Sequence, residues 1–192
     1  MIYLLAIAAA IITGILVKGR ISNLLNLKFE KTWLILAAFV ILSAAQITGS
    51  KYGFAQRYSF WINLITFCML LIGLWYNRRY AGMLFIGLGC LLNAAAILVN
   101  GGKMPVSMEM IEKAGLSHMI SELSFRHMIF EEWNQVRLPL LSDIIHIPGF
   151  LGYWVGVASI GDLIITLGLF CVVLEAVAGR EILPVRQFLK IG

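Results

Sequence analysis

The chain has 192 residues, of which 60% are hydrophobic and 13% are charged, and its mean hydropathy is +0.90. A soluble domain of this size carries about 25% charged residues, so the composition excludes an ordinary soluble protein and indicates a polytopic membrane protein. The net charge of +5 does not indicate a nucleic-acid partner, because Lys and Arg in such proteins mark cytoplasmic loops and anionic headgroups. The expected partner is the lipid bilayer.

Five apolar stretches are long enough to cross about 30 Å of hydrocarbon, which takes roughly 20 residues of α-helix. Most of the lysines and arginines flank the ends that lie inside if the N-terminus is outside, which predicts an N-out, C-in orientation. The sequence therefore predicts an all-α integral membrane protein, a bundle of five transmembrane helices in one domain over 1–192. The predicted spans are about 1–17, 32–49, 59–76, 80–99 and 157–178.

A long insertion, 100–156, separates the fourth and fifth spans and is predicted to lie outside. A short helix is predicted to begin near Ser107 and end at Gly115, and a second to run from about Ser117 to Asn134. Both have apolar character and many methionines. They are expected to be amphipathic helices in the outer headgroup layer, or alternatively an adaptable surface over an apolar substrate.

Polar residues at the end of the fourth span are candidates for a site, because polar groups inside a membrane are costly. Asn93 and Asn100 are seven residues apart and share one stripe of the helix. The motif "NGGKMPVS" follows, and a helix C-cap with a turn is an alternative explanation of its glycines. The candidate substrate-binding residues are Asn93, Asn100, Gly101, Gly102, Met104 and Pro105.

The only two aspartates of the chain, Asp143 and Asp162, flank an apolar stretch that contains Pro148. If that stretch folds back, Asp143 comes over the start of the fifth helix, where Asp162 is expected about one turn inside. Two carboxylates in a partly dry place share one proton, and such a pair can act as base and acid on one water. Both are therefore candidate catalytic residues. In the alternative interpretation, Asp162 caps its helix, and Asp143 pairs with Arg137 or faces water.

Histidine and glutamate pairs occur at i,i+4 spacing in the insertion, at His118 and Glu122 and at His127 and Glu131, and His146 could join them. Surface pairs of this kind mostly do no more than solvate a helix. The chain contains no dinucleotide fingerprint and no glycine-rich phosphate loop. Neither a metal nor a cofactor is predicted.

The motifs "NGGKMPVS", "LLSDIIHIP" and "SIGDLIITLG", in this order, resemble a family of small bacterial membrane proteins known only as a domain of unknown function. The resemblance covers nearly the whole chain. It implies a protein of the bacterial cytoplasmic (inner) membrane and no activity. With the five predicted spans and the N-out orientation, the chain is expected to be multi-pass with its main loop extracytoplasmic.

The carboxyl-terminal third is also similar in plan to signal peptidase II, the lipoprotein signal peptidase. In that family one catalytic aspartate lies in an outer segment and the other in an N-x-A-D motif that enters the last span. "LLSDII" and "ASIGD" supply Asp143 and Asp162 at these places, so the resemblance implies an aspartate-dyad peptidase. The asparagine of N-x-A-D is absent from this chain.

Three functions follow as hypotheses. The first is an outward-facing polar site that hydrolyses a lipid-anchored or membrane-embedded substrate, with Asn100 or a glycine amide steadying the oxyanion. The second is a non-catalytic binding protein or accessory subunit that docks a partner membrane protein on the outer helices. The third is a small transporter with the stripe of Asn93 and Asn100 in its path.

Overall fold

The computed structural model describes residues 2–52, 57–120, 123, 127–148 and 156–180, and of residues 46 and 48–52 only the backbone. The described chain is mostly helical. Its helices are α1 (Ile2–Leu16), α2 (Thr32–Tyr52), α3 (Ser59–Tyr76), α4 (Ala81–Val99), α5 (Met108–Lys113) and α6 (Ile160–Ala178). Its strands are β1 (Met104–Ser107), β2 (His127–Phe130), β3 (Ile145–His146) and β4 (Val157–Ala158). Short 3₁₀ turns occupy Ile21–Asn26, Ser117–Met119, Trp133–Gln135 and Pro139–Leu141.

Three of the described helices, α3, α4 and α6, are long and apolar enough to cross a membrane. The apolar helix α1 and the apolar part of α2, Thr32–Ala45, are shorter. The helix bounds of α3 and α4 follow the predicted spans closely. Helix α6 begins at Ile160 rather than at 157, because Val157 and Ala158 pair in a strand and Ser159 caps the helix. A bundle of five spans stays a prediction.

Helix α6 packs against α4 through glycines at both surfaces. A Cβ atom built on Gly82 would lie 2.2 Å from the carbonyl oxygen of Gly168, and one built on Gly89 would lie 2.5 Å from that of Gly161. The two helices are therefore antiparallel and in backbone contact, an arrangement that small residues allow between helices in a membrane. Any side chain at these positions would push α4 and α6 apart.

Helix α1 packs against α6 in the parallel direction. Tyr3 hydrogen-bonds to Asp162 near the start of both helices. Near their other end, a Cβ atom on Gly14 would lie 2.6 Å from the Val177 side chain, and the backbone N–H of Arg20 donates to the Val177 carbonyl at 2.9 Å. Two contacts at opposite ends fix the register of α1 on α6.

Helices α2 and α3 extend the bundle on the other side of α4. Gly73 of α3 packs against Ile35 of α2. At the turn between α3 and α4, the buried Asn77 side chain accepts from the backbone N–H of Glu30 at 2.8 Å and donates to the Glu30 carbonyl at 2.8 Å. These bonds satisfy the buried amide and fasten the segment before α2 to the turn.

The insertion after α4 differs from the prediction, which made the whole fold all-α. Strands β1 and β2 pair in parallel over four residues, from Met104 with His127 to Ser107 with Phe130. The second predicted helix, 117–134, is wrong in its second half, which holds strand β2 and a 3₁₀ turn; residues 121, 122 and 124–126 lie outside the described residues. Pairing between distant strands gives both backbones partners and overrides local periodicity.

The stretch after Asp143 folds back on the start of α6, as expected. Strand β3 pairs antiparallel with β4, so that Ile145 faces Ala158 and His146 faces Val157. Residues 149–155, which connect the two strands, lie outside the described part of the chain. This pairing brings Asp143 to the N-terminal end of α6.

Two neighbouring glycines of α4 test the backbone contact. We expect Gly89→Ala to lower the free energy of unfolding by about 1–3 kcal/mol, because its Cβ atom would overpack α6. The matched control is Gly87→Ala, since a Cβ atom there meets nothing within 4 Å. It should leave stability unchanged or raise it by about 0.5–1 kcal/mol. Thermal unfolding of the purified variants in detergent measures both effects, and equal melting temperatures would contradict the packing.

Candidate functional site

The N-terminus of α6 is closed by a capping box. Ser159 is the N-cap, and its Oγ accepts from the backbone N–H of Asp162 at 3.0 Å, while Oδ2 of Asp162 accepts from the backbone N–H of Ser159 at 3.1 Å. This reciprocal arrangement satisfies two N–H groups that the first helical turn leaves unpaired. The interpretation of Asp162 as a helix cap is therefore correct, and the residue lies in the first turn.

Asp162 also accepts hydrogen bonds from two other helices. Its Oδ1 atom accepts from the hydroxyl of Tyr3 on α1 at 2.7 Å and from Nδ2 of Asn93 on α4 at 2.9 Å. The Oδ1 atom of Asn93 in turn accepts from the Ser159 hydroxyl at 2.9 Å. With the backbone N–H of Ser159, three donors thus bond to the Asp162 carboxylate. An ionised carboxylate can only accept hydrogen bonds, so this arrangement suits it.

Backbone hydrogen bonds hold Asp143 near the N-terminus of α6. Its N–H donates to the Pro105 carbonyl at 2.9 Å, and its own carbonyl accepts from the N–H of Ser107 at 3.1 Å. The Asp143 side chain is buried, and its Oδ1 atom has no hydrogen-bond partner among the described residues. The alternative that Asp143 pairs with Arg137 or faces water is therefore wrong. Tyr3, Asn93, Asp143, Ser159 and Asp162 together form the carboxylate cluster.

Burial raises the pKa of Asp143 well above the ordinary carboxyl value, and the nearby negative charge of Asp162 raises it further. Desolvation disfavours the charged form of an acid, and a like charge does the same. Asp143 therefore holds its proton more tightly than an exposed aspartate. A buried carboxyl oxygen without a partner is rare in proteins, and this distinguishes Asp143 from Asp162, whose two oxygens both accept hydrogen bonds.

The predicted site residues Asn100, Met104 and Pro105 lie outside the cluster and hold the backbone segments around it. Asn100 ends α4, and its Nδ2 donates to the carbonyls of Ala96 and Arg137, both at 2.8 Å, while its Oδ1 accepts from the Arg137 N–H at 2.9 Å. The side-chain amide is thus occupied by backbone groups. Met104 and Pro105 belong to β1, whose Pro105 carbonyl holds Asp143.

Gly101 and Gly102 form the turn that joins α4 to β1. Their φ angles are +73° and +90°, a region that glycine adopts without strain. The Gly101 carbonyl accepts from the Ser59 hydroxyl at 2.9 Å, and a Cβ atom on Gly102 would lie 2.4 Å from the Phe60 nitrogen. The two glycines therefore dock the turn on the start of α3.

One of the two histidine and glutamate pairs that the spacing suggested does not lie on a helix. His127 lies on strand β2, so it does not share a helical face with Glu131, and Glu122 lies outside the described residues. His146 is on β3, and its Nδ1 is buried without a partner among the described groups. Within the described chain, no three His, Cys, Asp or Glu side chains group as metal ligands would.

Sequence reasoning missed two members of the cluster. Ser159 could have been found, because a serine three residues before an acidic residue at a helix start is the signature of a capping box. Tyr3 gives no local signal, since its partner lies 159 residues away. Only the parallel packing of α1 on α6 brings them together.

The raised pKa of Asp143 makes stability depend on pH. The unfolded chain loses this proton near the ordinary value of 3.8, whereas the folded protein keeps it to higher pH. Stability should therefore fall as the pH rises from that value through the raised one, and then level off. We expect Asp143→Asn to remove this part of the pH dependence of the melting temperature, and Glu109→Gln, an exposed carboxyl on α5, to leave it unchanged. Parallel pH profiles of the wild type and Asp143→Asn would contradict the assignment.

Comparison with known proteins gives a family and no activity. The model of the "Family of unknown function (DUF5317)" matches residues 26–174. A protein of Thermotoga maritima, described as an uncharacterized protein, is 28% identical over 170 residues, which cover 88% of this chain and 86% of that protein. No solved structure matches the chain, and the resemblance to signal peptidase II finds no support in these comparisons. The family match spans most of the chain and agrees with the resemblance to a bacterial family without assigned activity, so this protein belongs to DUF5317.

Proposed function

We propose that the chain is an integral protein of the bacterial cytoplasmic membrane that uses the carboxylate cluster to hydrolyse an acyl bond. The substrate would be a lipid-anchored or membrane-embedded molecule. One observation carries the proposal: Asp143 is buried near the charge of Asp162, and its Oδ1 has no partner among the described residues, whereas both oxygens of Asp162 accept hydrogen bonds. Two coupled carboxyls with different surroundings are suited to act as acid and base.

The distribution of cations supports an outward-facing cluster. Helices α1 and α6 begin at the cluster and α4 ends there. At the opposite helix ends lie seven described cations: Lys18, Arg20, Lys28, Lys31, Arg78, Arg79 and Arg180. Lysines and arginines close to helix ends favour the cytoplasmic side, so the cluster belongs on the outer side, with five spans running N-out, C-in.

The surroundings of the cluster favour a substrate with apolar chains. Leu4 and Leu5 follow Tyr3 on α1 and are 61% and 42% exposed. Ile160 and Leu163 flank Asp162 on α6 and are 37% and 38% exposed. In a bilayer these side chains contact acyl chains rather than water, so a lipid-anchored substrate can bring its polar end to the cluster while its chains stay in the lipid.

The chemistry follows from one shared proton. The carboxylate of Asp162 takes a proton from a water as the water oxygen attacks the carbonyl carbon, and Asp143 donates its proton to the carbonyl oxygen. When the tetrahedral intermediate collapses, Asp162 gives its proton to the leaving group, and Asp143 takes one back from a hydroxyl of the intermediate. The pair ends with one proton on Asp143, as it began.

A non-catalytic binding protein or accessory subunit is the second candidate. Its supporting observation is that the capping box and the bonds from Tyr3 and Asn93 give Asp162 a complete structural role without any reaction. In this case the partly buried methionines at 104, 108, 110, 119 and 128 would line a docking surface for a partner membrane protein.

Two isosteric variants separate these functions. With a synthetic fluorogenic diacylated lipopeptide in detergent micelles, we expect Asp143→Asn and Asp162→Asn to lower kcat by about 10²–10⁴-fold, the range of general acid–base catalysis. The control is Glu109→Gln, whose carboxylate is 68% exposed and bridges to Lys113; it should retain wild-type activity. Asp143→Asn is the cleaner variant, because the Oδ1 atom of Asp143 has no hydrogen bond to a described residue that the substitution could break.

The assay also has outcomes that overturn the proposal. If purified wild-type protein leaves such lipopeptides uncleaved, or if Asp143→Asn cleaves them at the wild-type rate, the cluster is not a hydrolytic dyad. Co-purification of a stoichiometric membrane partner, lost on substitution of the methionines, would then support the binding protein.

A further inference from the structure

The hydroxyl of Tyr3 makes the shortest of the three bonds to the Asp162 side chain, at 2.7 Å. Tyr3 lies on α1, ahead of the residues that the family model matches, 26–174. At the other end of the same two helices Gly14 packs against Val177, and the two contacts together fix the register of α1 on α6. A separate helix thus delivers one hydroxyl to one carboxylate of the pair.

The two carboxyls are bonded very unequally. Asp162 accepts from the Tyr3 hydroxyl, from Nδ2 of Asn93 and from the N–H of Ser159. The Oδ1 atom of Asp143 is buried and has no hydrogen-bond partner among the described groups. Hydrogen bonds to a charged group are worth more than those to a neutral one, so the donors stabilise a negative charge at Asp162 rather than at Asp143.

Neither ion pair among the described residues explains this asymmetry. Within the described chain the ion pairs are Arg79 with Glu30 and Lys113 with Glu109, and neither includes an aspartate. The titratable groups that face the pair are Tyr3 from α1 and Cys90 from α4. The hydrogen-bond donors to Asp162, together with the burial of Asp143, therefore distinguish the two carboxyls.

We infer that Tyr3 is a positioning residue that holds Asp162 as the proton acceptor of the pair and leaves the shared proton on Asp143. The catalytic consequence rests on the proposed function: Asp162 activates the water, and Asp143 polarises the substrate carbonyl. The placement of the proton is a property of the resting protein and can be measured without any substrate.

The test is Tyr3→Phe, which removes the hydroxyl and keeps the ring. Its matched control is Tyr76→Phe, at the opposite end of the bundle. The infrared spectrum of the wild type at neutral pH should contain the C=O band of a protonated carboxyl that is absent from Asp143→Asn. In Tyr3→Phe this band should weaken or shift, because one of the hydrogen bonds that favour a negative charge at Asp162 is then lost. In Tyr76→Phe it should stay unchanged.

Activity gives a second readout with the same variants. Tyr3→Phe should lower kcat on the lipopeptide about ten- to a hundredfold at unchanged KM, the effect of one lost bond to a charged group. Asn93→Ala, which removes another donor to the same oxygen, should change the band in the same direction and serves if Tyr3→Phe folds poorly.

The infrared result separates this inference from the proposed function. If the carboxyl band of Asp143 is identical in the wild type and in folded Tyr3→Phe and Asn93→Ala, Tyr3 only packs α1 against the bundle and the inference is wrong. If the band changes as expected while no lipopeptide is cleaved, the proton placement holds and hydrolysis is the part that fails.

Discussion

The backbone contact between α4 and α6 is the constraint on which the cluster depends. Gly82 and Gly89 of one helix meet Gly168 and Gly161 of the other, so the two helices approach more closely than any side chain would permit. Asn93 lies one helical turn beyond Gly89, and a Cβ atom on Gly161 would lie 2.0 Å from its Oδ1. The contact thereby sets the Asn93 amide against the first turn of α6, where Asp162 accepts its bond.

The remaining parts of the cluster are delivered to this fixed point from outside the helix pair. Helix α1 brings Tyr3, and the paired segments β1 and β3 carry Asp143 over the N-terminus of α6. As a consequence, both oxygens of Asp162 accept hydrogen bonds, whereas the buried Oδ1 of Asp143 has no partner among the described residues. A helix cap explains the first without invoking chemistry, but it does not explain the second, because a buried polar atom without a partner costs free energy.

The sequence predicted the parts of this structure that local patterns determine. Hydropathy gave the bounds of α3 and α4, because apolar runs of that length have few alternatives. The two aspartates were identified because the chain contains no others, and Asn93 because a polar group inside a membrane span is costly. The strands β1 and β2 could not be predicted, since the Met-rich segments have no alternation that distinguishes a strand from a helix and their pairing is non-local. The hydrogen bond from Tyr3 to Asp162 could not be predicted either, because its partners are also distant in the sequence.

The protonation of Asp143 can be measured by itself, because aspartate is rare in this chain. Because the chain contains only Asp143 and Asp162, labelling aspartate with ¹³C at the carboxyl carbon gives two signals, and Asp143→Asn assigns them. We expect the folded protein in detergent or nanodiscs to keep the Asp143 carboxyl protonated well above the ordinary pKa of 3.8. An Asp143 signal that titrates near that ordinary value would contradict the account, because the two carboxyls would then share no proton at neutral pH.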